Sequence, residues 1–160
     1  MAADNRSAEA LLTDLQRRFA DEVRQRLTAR NAAFTTETSS TRDEAFIEFL
    51  LESNYPDLRF SVLIVADRFG LLANGAGLYR DRDGDWLDDP GGWLMESMGV
   101  MERILSHDLR IRVRKTWFGG RTGAIWISAG TSSAWSGDSA ACQGEGVEYT
   151  FPLPWFRTRS

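Results

Sequence analysis

The stretch Phe60 to Gly77, FSVLIVADRFGLLANGAG, constrains the fold of this chain more than any other. Phe60, Val62, Leu63, Ile64, Val65 and Ala66 place apolar side chains at consecutive positions, so both faces of an extended segment would be apolar. A charged turn containing Gly70 and a second, shorter apolar run follow, which is the pattern of a buried β-hairpin at the centre of a sheet. Any fold must therefore cover this ribbon on both sides.

At 160 residues the chain has the size of one domain, large enough to bury on the order of two thirds of its unfolded surface. No apolar run approaches the roughly 18 residues of a membrane span. The start, MAADNRSAEALLTDLQ, has neither a basic region nor an apolar core of the signal-peptide type. One cysteine, Cys142, excludes an intramolecular disulfide. Together these features lead us to expect a cytoplasmic protein. Lys115 is the single lysine among 19 basic residues, a bias that suggests a GC-rich bacterial genome. The net charge of −4 argues against non-specific nucleic-acid binding. The charges are segregated, with Asp81, Asp83, Asp85, Asp88 and Asp89 in one stretch and Arg110, Arg112, Arg114, Lys115 and Arg121 in a later one.

Ser7 can cap a helix whose apolar positions Ala8, Leu11, Leu12, Leu15, Phe19, Val23 and Leu27 recur every three or four residues. Thr35 to Ser40 lacks periodicity and reads as a linker. Thr41 and Glu44 have capping-box spacing ahead of Phe46, Ile47, Phe49, Leu50 and Leu51, so a second helix is expected up to Asn54 and Pro56. Asp89-Pro90 starts a third helix, about 90 to 106, with the stripe Leu94, Met98, Met101 and Leu105. Leu109, Ile111 and Val113 alternate with Arg110, Arg112 and Arg114, a half-buried strand with a basic face. Gly119-Gly120 turns the chain into a strand at 124–128, and a Gly/Ser loop leads to the last strand, Val147 to Phe151. The expected fold class is α+β. It has amino-terminal helices, a central antiparallel sheet of about five strands, and one helix inserted between the second and third strands. The expected organisation is an amphipathic helical extension over 1–34 and a single α+β domain over 41–156.

The order from Thr41 onward, with the words SVLIVADRFGLLANGAG and RIRVRKTWFGGRTGAIWISAG, resembles the roadblock/LC7 family over about residues 41 to 151. Asp67, Gly70 and Leu71 stand where that family has its turn between the first two strands. The chain departs from the family in its acidic insertion at 78–89, its extra first helix and the lack of a helix after the last strand. The resemblance implies a non-enzymatic, homodimeric scaffold or regulator, acting on a small GTPase or another signalling complex and needing no cofactor. It also implies an interface made by the middle helix and the following strand, here Met98, Met101, Leu105, Arg110, Arg112 and Arg114. The region is similar as well to small acidic secretion chaperones, which are dimeric protein binders. A cone-shaped enzyme or ligand-binding domain of the NTF2 type is a further alternative.

Asp81, Asp83, Asp85 and Asp89 match alternate ligand positions of a calcium loop, but Trp86 stands where such a loop needs glycine and Gly92 where it needs glutamate. Asp83-Gly84 is equally a hairpin-turn dipeptide, so a solvated turn and a weak cation site are both open. Ala141-Cys142-Gln143-Gly144 matches part of a caspase signature, with His107 the one available base. The polar residues before Cys142 and the spacing to His107 argue against that chemistry. Asp67, at the end of the central strand, is the one carboxylate that reads as meeting a strand's apolar run, and nothing there suggests a general acid; GGRTG lacks the lysine and helix of a phosphate loop. Of six tryptophans, Trp117 and Trp126 read as a cross-strand pair, whereas Trp135 and Trp155 read as interface residues.

Overall fold

The computed structural model describes residues 8–74, 76–115, 121–126 and 147–160, leaving aside the side chains at 114, 115, 121–124 and 126. After a helical turn at 8–11, helix α1 (Asp14–Ala29) leads into five strands: β1 (Phe34–Ser40), β2 (Ala45–Leu51), β3 (Phe60–Val65), β4 (Arg68–Ala73) and β5 (Ala76–Asp81). A 3-10 turn (Gly84–Leu87), helix α2 (Pro90–Leu105) and strands β6 (Leu109–Lys115), β7 (Arg121–Trp126) and β8 (Val147–Phe151) follow. The fold is α+β. Strands β1 to β5 form one antiparallel meander in sequence order, and β7-β6-β8 form a second sheet.

Two expectations at the start of the domain are overturned. The supposed linker at 35–40 is β1, and the supposed helix after Thr41 is β2. The apolar run AFIEFLL buries Ala45, Ile47, Phe49 and Leu51 and leaves Phe46, Glu48 and Leu50 half-buried, a strict period of two. A seven-residue run fits a strand better than a helix, and the threonines before it favour extended backbone. Thr41 and Glu44 close the hairpin instead of capping a helix: the Thr41 N–H donates to the Glu44 carbonyl at 2.8 Å. The inserted helix is displaced accordingly. It follows the fifth strand, not the second.

The expected central hairpin is a three-stranded meander with β3 in the middle of the sheet. Its first turn is Ala66-Asp67, and Gly70 lies inside β4, opposite Leu63. Asn74 makes the second turn in left-handed backbone (φ 51°), its side-chain oxygen accepting from the Arg59 N–H at 2.8 Å. Asp83-Gly84 does not form a hairpin, because β5 ends at Asp81 and the chain enters the 3-10 turn.

Both helices cover one face of the five-stranded sheet. Thr13, not Ser7, caps α1 through a reciprocal box: its hydroxyl accepts from the Gln16 N–H at 3.1 Å, and the Gln16 side chain accepts from the Thr13 N–H at 2.9 Å. The same Gln16 amide donates to the Ala45 carbonyl at 2.7 Å, tying the first turn of α1 to β2. Phe19 then packs against Phe69 of β4 and Trp93 of α2, with ring centroids 5.6 and 4.6 Å away. Asp89 caps α2 by accepting from the Gly92 N–H at 2.9 Å, and a Cβ at Gly92 would lie 2.1 Å from the Asp89 carboxylate. With the carboxylate in this position, a side chain at 92 would require Asp89 to turn. Arg30 at the end of α1 donates to Glu102 of α2 at 2.9 Å and to the Ser106 hydroxyl at 2.6 Å. The buried cluster runs through α1, both sheets and α2, so residues 8–34 share the core of the rest.

The carboxy-terminal tail completes this core. Trp155 is fully buried against Phe60, 4.7 Å between centroids, and its indole N–H donates to the His107 carbonyl at 3.2 Å. Beyond it the tail lies between 31–33 and 52–54, where Ala33 donates to Arg157 and Arg157 to Glu52, each at 2.8 Å.

Candidate interaction surface

Because side chains alternate along a strand, the registers of β1 to β5 fix what the other face of the sheet presents. One row across it reads Glu37, Glu48, Leu63, Gly70, Tyr79. The next reads Thr35, Leu50, Ser61, Leu72, Gly77. Phe46 and Val65 lie at the far end, with Val65 opposite Arg68 and Arg68 opposite Asp81. Phe46, Leu50, Leu63, Val65 and Leu72 are only half-buried, in contrast to Phe49, Phe60, Val62, Ile64 and Leu71 on the helix-covered face. An apolar sheet face is therefore presented on the side away from α1 and α2, and the expectation that the central ribbon is covered on both sides fails: Val62 and Ile64 of β3 are buried under the helices, whereas Leu63 and Val65 on its other face are half-buried.

Tyr79 is the most exposed aromatic of this face, at 40 % of its full area, and the backbone holds it in place. Its ring lies across Gly77 and Gly70: a Cβ would come 2.4 Å from the ring at Gly77 and 3.0 Å at Gly70. Arg68 lies over the ring, 5.3 Å from its centroid, and its Nε donates to Asp81 at 2.6 Å. That hydrogen bond, more than the accompanying charge attraction, raises the Arg68 pKa above its ordinary value. An aromatic and an arginine fixed before any partner arrives are the residue types that dominate binding energy at protein interfaces.

At the β1–β2 side of the same face, Glu37 and Glu48 stand directly opposite each other on paired strands. Like charges so placed repel, and neither carboxylate has an ion-pair partner among the described residues. This corner favours a cation.

The residues expected from sequence to form an interface lie elsewhere. Met98, Met101 and Leu105 are in the core, as is Trp155. The stripe on α2 is wider than a docking stripe: buried positions from Trp93 to Leu105 cover roughly 160° of its circumference, so the helix packs into this chain. Arg112 donates to Glu148 of the neighbouring β8 at 3.1 Å, and Arg110 is half-buried beside it on β6. The side chain of Arg114, the pair Trp117 and Trp126, Trp135 and Cys142 fall outside the described side chains. Asp81, Asp83, Asp85 and Asp89 do not converge. Asp81 holds Arg68, Asp89 caps α2, and among the described residues no group of three His, Cys, Asp or Glu could hold a metal. His107 sits at the end of α2 with Nδ1 2.7 Å from the Arg103 carbonyl, so that nitrogen carries the proton and donates to the helix end.

A separate open cleft of about 450 Å³ lies beside the second sheet, lined by Ile111, Val113, Val147, Tyr149 and Phe151 together with Asp57 and Asn74. Among the described residues no helix is long and apolar enough to cross a membrane. The fold and this surface define the chain as an α+β domain whose five-stranded sheet has, among the described residues, a half-buried apolar face away from its helices. Comparison with protein-family models, curated proteins and solved structures finds no match.

Proposed function

We propose that this chain is a protein-binding module that works by contact and not by catalysis, with the free face of the β1–β5 sheet as its docking surface. The observation that carries the reading is the preset Tyr79–Arg68 anchor beside a floor of Leu50, Leu63, Leu72, Phe46 and Val65. An apolar patch of this ordinary size on a monomer is often a functional one. The partner's chemistry follows from the corner at Glu37 and Glu48: aliphatic side chains for the floor, and a guanidinium or ammonium group for the two carboxylates. The likeness to the roadblock family would make a component of a small-GTPase complex one such partner, in the bacterial cytoplasm that the composition suggests.

Selection of short peptides from a random display library on the wild-type chain tests this. Recovered peptides should pair aliphatic residues with Arg or Lys, and should bind the Leu63→Asp and Glu48→Lys variants at least tenfold more weakly. Peptides that bind both variants as well as the wild type would place the docking surface elsewhere and refute the reading.

The open cleft favours a second reading, a ligand-binding domain. Its size falls within the range of small-molecule sites, and Asp57 offers a carboxylate to a ligand with an apolar body and a cationic end. Retention of such amines by the wild type but not by a Val113→Arg variant would support it. Equal retention would remove it.

A further inference from the structure

We propose that β1 is a dimerisation edge, on which a second copy of this chain pairs antiparallel about a twofold axis through Thr38, joining two five-stranded sheets into one of ten. The inference stands apart from the reading of the free sheet face, which a monomer would leave intact.

Hydrogen-bond parity comes first. The Ala33 carbonyl accepts from Glu52 at 2.9 Å and the Thr41 N–H donates to Glu44 at 2.8 Å, so odd-numbered residues of β1 bond to β2. The N–H and C=O groups of Thr36, Thr38 and Ser40 therefore point outward from the sheet. Among the described residues nothing accepts or donates to them. An edge of this kind is a template for another strand unless proline, lysine, a bulge or a covering segment blunts it. Here β1 pairs with β2 in unbroken register over seven residues, FTTETSS, with Glu37 its one charge.

Two constraints then select the register. The axis must avoid Glu37, which would otherwise face its own copy. Pairing centred on Thr36 would bring the second copy against Ala32 and Ala33, and that end is already occupied by the tail through the Ala32–Thr158 bridge and the Ala33–Arg157 hydrogen bond. Centring on Thr38 sets Glu37 beside Ser39, Thr36 beside Ser40 and Thr35 beside Thr41. It forms six new N–H···O bonds, two at each of the pairs 38–38, 36–40 and 40–36.

Space agrees with a second copy as the occupant. Thr36 and Thr38 line an open groove of about 520 Å³ between β1 and α1. Along that groove the cations of the helical segment are paired within the chain, Arg17 with Asp14 and Arg24 with Asp21, each at 3.1 Å, so the wall presents no excess of one sign to a second copy.

Sedimentation velocity on the full chain at about 10 to 100 µM should show a species of twice the chain mass. Thr38→Pro removes an outward N–H that the β1–β2 ladder does not use, so it should weaken the dimer at least tenfold while leaving the circular dichroism and thermal transition in place. In a Cys142→Ser background, Thr38→Cys should cross-link to a dimer on mild oxidation, since directly paired residues sit about 5.5 Å apart at Cα. Thr36→Cys should not, its symmetry mate being roughly 13 Å along the strand. A monomer throughout the range, a dimer indifferent to Thr38→Pro, or preferential cross-linking through Thr36→Cys would each overturn the proposal. Should Thr38→Pro fail to fold, the cysteine pair decides.

Discussion

Gly77→Ala tests whether the aromatic platform on the free face is built as described. The new Cβ would lie 2.4 Å from Cε2 and 2.9 Å from Cζ of Tyr79, closer than any real contact, and both atoms belong to the far end of a side chain able to rotate away. Alanine in place of glycine within a strand gains roughly 0.5–1 kcal/mol from reduced chain entropy in the unfolded state. Against that, a displaced ring gives up its contact with two glycines. If about 50 Å² of apolar area returns to water, the loss is about 1.3 kcal/mol. Release of the Arg68 guanidinium from the ring adds roughly 0.5–1 kcal/mol at an exposed site. The net expectation is destabilisation by about 1 kcal/mol. A Tyr79→Ala background removes the three atoms nearest the new Cβ, and there the same Gly77→Ala change should stabilise by roughly 0.5 kcal/mol. Urea denaturation of the four proteins gives this double-mutant cycle directly. A coupling energy within about 0.3 kcal/mol of zero would mean that the ring does not lie on Gly77, and the preset anchor would go with it.

Other changes separate core, cap and surface by equilibrium unfolding. Met98→Ala should cost about 2–5 kcal/mol, as expected for a fully buried side chain; a cost below about 1 kcal/mol would return Met98 to the surface where the sequence reading put it. Gly99→Ala in α2 meets nothing within 4 Å and should stabilise by about 1 kcal/mol, whereas Gly92→Ala would collide with the Asp89 cap and should lose that gain or reverse it. Equal effects at the two glycines would refute the capping geometry. Gln16→Ala removes half of the capping box and the bond to Ala45, leaving a buried carbonyl without a donor, and should cost about 2–3 kcal/mol; a change under 0.5 kcal/mol would show the link from α1 to β2 to be idle.

The sequence made the α+β class legible through Phe60–Val65, the Asp89-Pro90 helix start and the alternation after Leu109, because each is a long pattern with a single reading. It misled where one pattern serves two structures. Thr41 and Glu44 have the spacing of a capping box and also of the two ends of a four-residue hairpin loop, and only the partner strand distinguishes them. A true capping box, Thr13 with Gln16, lay unread inside an apolar periodicity that runs on through it. The binding face was equally hidden. Its residues, from Phe46 to Tyr79, sit on four strands and become neighbours only through register.

Register also links the two proposals, because the plan area of a surface limits the partner it can hold. Five strands about 4.8 Å apart and roughly 20 Å long present about 400 Å² in plan, near the size of an ordinary apolar patch and below the roughly 800 Å² per partner of a stable complex. Pairing through β1 leaves the faces of both sheets on the same side, since the twofold runs across the sheet and not along it. The Glu37 and Glu48 corners of the two copies then meet at the centre of a ten-stranded face, with a Tyr79–Arg68 anchor toward each flank. Such a face is about 800 Å² in plan, acidic in the middle and aromatic at both ends. It selects a partner with a basic centre and two aliphatic arms, or two copies of a partner, and a chain that cannot dimerise should bind either one more weakly without any change to the residues that touch it.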